Sequence, residues 1–236
     1  MSTRRNIRIA GSIVKTLFGL LVFSVCALVL WRVFFSTKLP DSMEGIHVNQ
    51  PLAEAYDTYG EALEFQYQNQ FSMTYSETNA GYFGIAEYVI IPKANQVQVI
   101  LRYNNSTLKH LQADYQLPSL PEKGGDYFDF TLRQITDLTP TNTGDNSDPA
   151  ALEILRHTPS HVSMDTTALY TYYRLVFDGV EIDESAVCSI LLDIYYVEDR
   201  NYEQPAYGAL LIYDDLASWI PYRLSAADKQ ALQAAK

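Results

Sequence analysis

Four histidines, two cysteines and 28 carboxylates are the side chains through which this 236-residue chain could do chemistry. His157 and His161 stand four apart, a spacing that would put two imidazoles on one helix face as zinc ligands. Pro159 lies between them and breaks such a helix, and no glutamate precedes either as in a metalloprotease. The pair reads as part of an exposed loop, and no metal ligand is assigned. Cys188 sits in an apolar, strand-like run and reads as a buried structural thiol rather than a nucleophile. No serine stands in a Gly-x-Ser-x-Gly or Ser-x-x-Lys pattern, although triads can assemble from distant loops. Gly124-Gly125 is followed by Asp126, which would repel phosphate. No catalytic or cofactor-binding residue is therefore assigned. Carboxylates at Asp145/Asp148, along Asp178 to Glu184 and at Asp214-Asp215 could offer oxygen ligands to calcium on loops. None has EF-hand spacing, solvated turns explain all three, and no cofactor is expected.

Tyrosine is the one residue in excess, 18 in all. The side chain suits half-buried strands, and it also makes good contacts, being large and amphipathic with few rotamers to freeze. Tyr202, Tyr207, Tyr170 and Tyr172 are the candidate binding residues, with the loop Glu198–Pro205 as the rim of a contact surface.

A long apolar run must position whatever these residues do. From Thr16 to Trp31 no charge interrupts the chain, and with Lys15 and Arg32 snorkelling the run extends over residues 13–35. That meets the ~20 residues needed to cross a bilayer core. Arg4, Arg5, Arg8 and Lys15 precede its apolar core, whereas all 28 acids lie at Asp41 or later, against 11 lysines and arginines there. The part after residue 40 thus carries a formal charge of 11 − 28 = −17. The positive-inside rule places the N-terminus in the cytoplasm and the acidic bulk outside. No small-x-small site follows the run, so an uncleaved anchor is expected rather than a signal peptide. Such an acidic surface disfavours nucleic acid and anionic lipid as partners. With no intramolecular disulfide open to Cys26 and Cys188, the chain fits a bacterial surface better than a eukaryotic secreted module.

Beyond the anchor the period switches to two. Asn49 and Pro51 open a short helix, and strands are expected between Ala62 and Ser76, over Ile85–Ile91, Gln96–Tyr103, Tyr127–Ile135, Leu169–Phe177, Ala186–Val197 and Tyr207–Tyr213. Asn104–Gln116 suits a short helix, Asp178-Gly179 is a turn, and Ser225 to Asp228 caps a last helix. The nearly unbroken apolar run in Ala186–Val197 is that of a central strand. Seven or eight short strands argue a mainly β fold, an immunoglobulin-like β-sandwich behind a single transmembrane helix, with an α+β domain as the alternative. The organisation expected is a cytoplasmic basic tail (1–12), a transmembrane helix (13–35), a connector (36–49) and an extracytoplasmic β-rich domain (50–236).

The functional expectation is a single-pass, membrane-anchored extracytoplasmic binding module, such as an accessory subunit of a cell-envelope complex. Its partners would be the bilayer, through residues 13–35, and membrane-proximal envelope proteins. Fourteen connector residues reach at most roughly 50 Å even when extended. The competing expectation is an extracytoplasmic hydrolase acting on wall polymer or peptide, its catalytic groups drawn from loops. A flat, tyrosine-rich face favours the first; a deep cleft where carboxylate, serine and histidine converge favours the second.

Overall fold

The computed structural model describes residues 2–34, 39–60, 63, 66–69, 82–137, 152–182, 187–198, 209–213 and 220–235. They divide into two units, Met1–Leu39 and Pro40–Lys236.

The first unit is one helix, α1 (Ser2–Phe34). Its side chains are described from Lys15 to Trp31, and all of them are exposed, Leu17, Phe18, Leu21, Phe23, Leu28 and Trp31 at 51–71%. Among the described residues no helix is long and apolar enough to cross a membrane.

The second unit is mainly β, built of two antiparallel sheets with short helices added. Its elements are α2 (Gln50–Tyr59), β1 (Gln66–Asn69), β2 (Phe83–Ile91), β3 (Gln96–Asn104), α3 (Thr107–Asp114), β4 (Phe128–Asp137), β5 (Leu152–His157), β6 (His161–Thr166), β7 (Tyr170–Asp178), β8 (Val187–Tyr196), β9 (Ala209–Tyr213), β10 (Ile220–Pro221) and α4 (Ala226–Ala234). The larger sheet has the order β10-β1-β2-β3-β7-β6, the smaller β5-β4-β8-β9. The chain therefore changes sheets four times, after β3, β5, β7 and β9.

Alternation explains how the sheets meet. Val97, Val99, Leu101 and Tyr103 of β3 and Tyr173, Leu175 and Phe177 of β7 share one face of the larger sheet. Phe128, Phe130 and Leu132 of β4 and Ile190, Leu192 and Ile194 of β8 share one face of the smaller. All belong to one buried core. Aromatic edges interlock across it: Phe83 meets Phe128 at 4.9 Å and Phe130 meets Tyr173 at 5.0 Å between ring centroids. Leu108 and Leu111 of α3 enter the same core. β8 is central, paired with β4 along its whole length and with β9 on its other side, as its apolar run predicts.

The opposite face of the larger sheet is covered as well. Ile46, Leu52, Val89, Ile91 and Leu232 form a second cluster that packs α2, α4 and the segment before α2 onto β2. Both helices start where the sequence says they should. Asn49 accepts from the Leu52 amide at 3.2 Å, and Ser225 and Asp228 complete a capping box. Residues 40–49, expected within a connector, contribute buried side chains to this unit, Met43 at 1% and Ile46 at 9% exposure.

One expectation is corrected. His157 and His161 do not lie in a loop. They end β5 and begin β6, the outermost strands of their sheets, and only Thr158-Pro159-Ser160 joins the two. Pro159 breaks a helix, as argued, but here it marks the point where the chain passes from one sheet edge to the other. The expected strand residues 71–76 and the acidic loop around Asp145 lie outside the described residues.

Leu192 is fully buried among both sheets. Its truncation to alanine should destabilise the domain by about 2–5 kcal/mol. Urea unfolding of the full chain reads this directly, and an unchanged midpoint would contradict the core described.

Candidate functional site

Polar side chains converge in two places beneath the surface. The first lies between the segment 44–49 and the outer face of the larger sheet. Even-numbered residues of β3 and β7 point there, so Gln96, Gln98 and Arg174 are buried under that segment. Gln98 reads His47 with both ends of its amide: its Oε1 accepts from the His47 amide and its Nε2 donates to the His47 carbonyl, each at 2.8 Å. Arg174 donates to the carbonyls of Gly45 (2.8 Å) and Glu44 (3.3 Å). Asp178 accepts from Gln96 at 2.7 Å and from the Asn49 side chain at 3.0 and 3.2 Å. The imidazoles of His47 and His161 stack at 3.8 Å between centroids, 11° from parallel.

The electrostatics follow from this packing. Burial is the largest influence on His47, and with His161 and Arg174 nearby it holds the imidazole below its ordinary value, against the opposing pull of Asp178. Burial alone would raise Asp178, but hydrogen bonds from Ser160, Gln96 and Asn49 and the proximity of His47 outweigh it and lower the carboxyl. Burial likewise lowers Arg174, partly offset by Glu87, Tyr222 and Asp228. Histidine, serine and carboxylate do meet here, but the amides and carbonyls around them are satisfied by one another, and the cavity beside Arg174 is about 10 Å³. The arrangement is a clamp, too closed for a substrate.

The second convergence is on the outer face of the smaller sheet. Asp193, 1% exposed, lies 2.9 Å from Arg133 and 3.9 Å from Arg156, and Arg156 also donates to the Tyr195 hydroxyl at 3.3 Å. Burial raises the Asp193 carboxyl, and the two arginines counter it. Among the described residues no group of three or more His, Cys, Asp or Glu side chains is placed to hold a metal.

An open site lies elsewhere. After α3 the chain turns at Gln116 (φ 51°) into Leu117-Pro-Ser-Leu-Pro121, and this segment faces the ends of β4 and β8 across a groove of about 370 Å³. Leu117, Pro118, Leu120, Pro121, Tyr127 and Tyr196 supply apolar and aromatic lining; Glu122, Asp126 and Glu198 supply carboxylates, with no cation in the lining. Tyr115 backs Tyr196 at 4.1 Å between centroids, and the Val197 amide donates to the Tyr127 carbonyl at 3.0 Å, so the aromatic wall is held from behind. Burial first, then Glu198, raises the Tyr196 hydroxyl, keeping it a hydrogen-bond donor to that carboxylate. Leu120 is 49% exposed at the rim.

Of the four tyrosines expected to make contacts, Tyr202 and Tyr207 lie outside the described residues. Tyr170 is half-buried, its ring 4.9 Å from the Arg102 guanidinium. Tyr172 is fully buried on the outer face of β7, so it serves packing in this structure, although its hydroxyl finds no partner among the described residues. The structure does not bring Tyr170 and Tyr172 to the groove. Tyr127, Tyr196 and Leu120 were the missed residues. Their available signal was two leucines interleaved with two prolines, Leu117-Pro-Ser-Leu-Pro121, a segment too apolar for an ordinary surface turn.

Compared with family models, with curated proteins and with solved structures, the chain matches none.

The clamp makes stability depend on pH with a definite sign. Below the ordinary histidine value of 6.5 the unfolded chain takes up a proton that folded His47 resists. Stability is therefore full above that value and falls as the pH drops toward the lowered folded one; His157, also lowered by burial, adds the same sign. The urea midpoint should fall between about pH 7.5 and about pH 5.5, and His47→Gln should flatten the fall. An equal slope in the variant would remove His47 from the account.

Proposed function

We propose that this chain is a single-pass, membrane-anchored extracytoplasmic interaction module, its second unit an immunoglobulin-like sandwich elaborated by helices on one face. The observation that carries the reading is α1. Its described side chains are all exposed, and nearly all are apolar. A row of leucine, phenylalanine and valine on every side of an isolated helix suits hydrocarbon, not water. The flanking residues Ile13 and Phe35 extend the apolar run to spanning length, and the basic tail before it favours an internal N-terminus. The compact unit begins at Pro40, close in sequence to the end of α1 at Phe34.

The groove supports binding as the activity. A preformed apolar and aromatic lining with three carboxylates and no cation suits a partner segment that brings an apolar anchor next to lysine or arginine. The polar clamp under residues 44–49 is satisfied internally, which favours an interaction module over a wall hydrolase. Membrane or membrane-proximal envelope proteins are the partner class, as an accessory subunit would require.

Two measurements test this. In cell fractions the full chain should stay with membranes after washing at high salt and high pH, and replacing Leu21 and Val25 by lysine should release it. A photoreactive residue in place of Leu120 should cross-link to one membrane-proximal protein in intact cells, and Tyr196→Ala should weaken that capture severalfold. Recovery of the unaltered chain in the soluble fraction, or turnover of wall fragments by the purified chain, would favour the hydrolase instead.

A further inference from the structure

β6 is the last strand of the larger sheet among the described residues, and its composition is unusual for an edge. Natural edges are blunted by proline, by lysine or by being short. The opposite edge follows the rule: β10 has two residues, and one is Pro221. β6 has six residues, His161-Val-Ser-Met-Asp-Thr166, with neither proline nor lysine. Val162 and Met164 are 47% and 37% exposed there, on the side that would face the core if the sheet were wider.

The hydrogen-bond pattern fixes what that edge offers. The Thr167 amide donates to the Tyr170 carbonyl, and the register of β6 on β7 is unbroken from His161↔Val176 to Thr166↔Thr171. By alternation, odd-numbered residues of β6 turn their amides and carbonyls to β7, while Val162, Met164 and Thr166 turn theirs to the open side.

We infer that β6 pairs with β6 of a second copy of this chain, antiparallel and centred on Ser163. In that register Val162 faces Met164 of the second copy, and Met164 faces its Val162. These are the outward-turned residues, so both pairs form backbone hydrogen bonds. The intervening, closer pairs are His161 against Asp165, twice, and Ser163 against itself. An imidazole meets a carboxylate, apolar meets apolar and the two Ser163 side chains meet at the centre, which is the self-complementarity a two-fold interface requires. His161 and Asp165 are already held in place, the first stacked on His47 and the second accepting from the Ser42 hydroxyl. Opposing this is the −17 formal charge beyond residue 40, a repulsion screened beyond ~8 Å at physiological salt.

Disulfide trapping tests the register. In the full chain carrying Cys26→Ser, in mild detergent at physiological salt, Ser163→Cys should give a disulfide-linked dimer on mild oxidation. Directly opposed residues of this kind lie ~4.5 Å apart, within bridging range. Val162→Cys alone should yield severalfold less dimer, but should cross-link when mixed with Met164→Cys. Adding Met164→Pro, which removes an outward amide and leaves the β7 pairing intact, should abolish the Ser163→Cys dimer while circular dichroism stays unchanged. The inference is overturned if Ser163→Cys dimerises no better than an exposed control such as Lys109→Cys. It is equally overturned if the trapped species contains a different polypeptide, or if the dimer survives Met164→Pro in a folded chain. Membrane association of the same variants is unaffected by either result, so failure here leaves the proposed anchor standing.

Discussion

Everything in the second unit answers to one constraint: the central strands of the larger sheet, β3 and β7, are buried on both faces, but only one face is apolar throughout. The inner face of β3 and β7 packs against the smaller sheet with valine, leucine and aromatic side chains. The outer face carries Gln96, Gln98, Arg174 and Asp178, and a buried amide or guanidinium without partners costs several kcal/mol. The chain meets that demand by laying residues 44–49 across the sheet and presenting main-chain carbonyls and an amide to these side chains. Asp228, from the far end of the sequence, completes the cover by accepting from the Ile46 and Ser225 amides and the Tyr222 hydroxyl. The first stretch of the second unit is thereby sewn into the sheet, and helices α2 and α4 are held where their apolar faces can close the second cluster.

Strands that carry strong alternation or continuous apolar sequence were legible before any coordinates: β2, β3, β4, β7 and β8 all fall where the period changes to two. Helix caps at Asn49 and Ser225 were legible too, because capping is a local bargain between one side chain and two or three amides. β5 and β6 were not. β5 exposes residues 153–156 on both faces and so has no buried apolar side, β6 has only Val162 and Met164 on its apolar side, and Pro159 between them looks like ordinary loop punctuation. The clamp was equally hidden, since Gln96 and Gln98 read as the solvent side of a strand until another segment covers them. Tyrosine content pointed to packing and binding at once. In the structure Tyr172, Tyr173 and Tyr195 are core, Tyr127 lines a groove, and Tyr196, 4% exposed, belongs to both core and groove wall.

Electrostatics separates the two faces of the molecule into different kinds of polar chemistry. Around Asp193 the charges are full and opposite, at the margin of a strand face where Arg156 remains partly in water. Such pairs hold geometry more than they add stability. Around Arg174 the single cation is met by neutral carbonyls, with carboxylates further off. A titration event at His47 therefore acts on a network of dipoles, where one added charge has few counter-ions at hand.

The pairing of β10 with β1 has a consequence for how the chain comes into being. Gln66 and Tyr67 pair in register with Pro221 and Ile220, so a strand made early waits for one made much later. Until residue 220 has left the ribosome, the β1 edge that β10 covers has no permanent neighbour, and α4 cannot bring Asp228 to Ile46. Closure of the larger sheet is thus gated by a late strand: a nascent chain emerging N-terminus first would hold that sheet part-formed until β10 arrived.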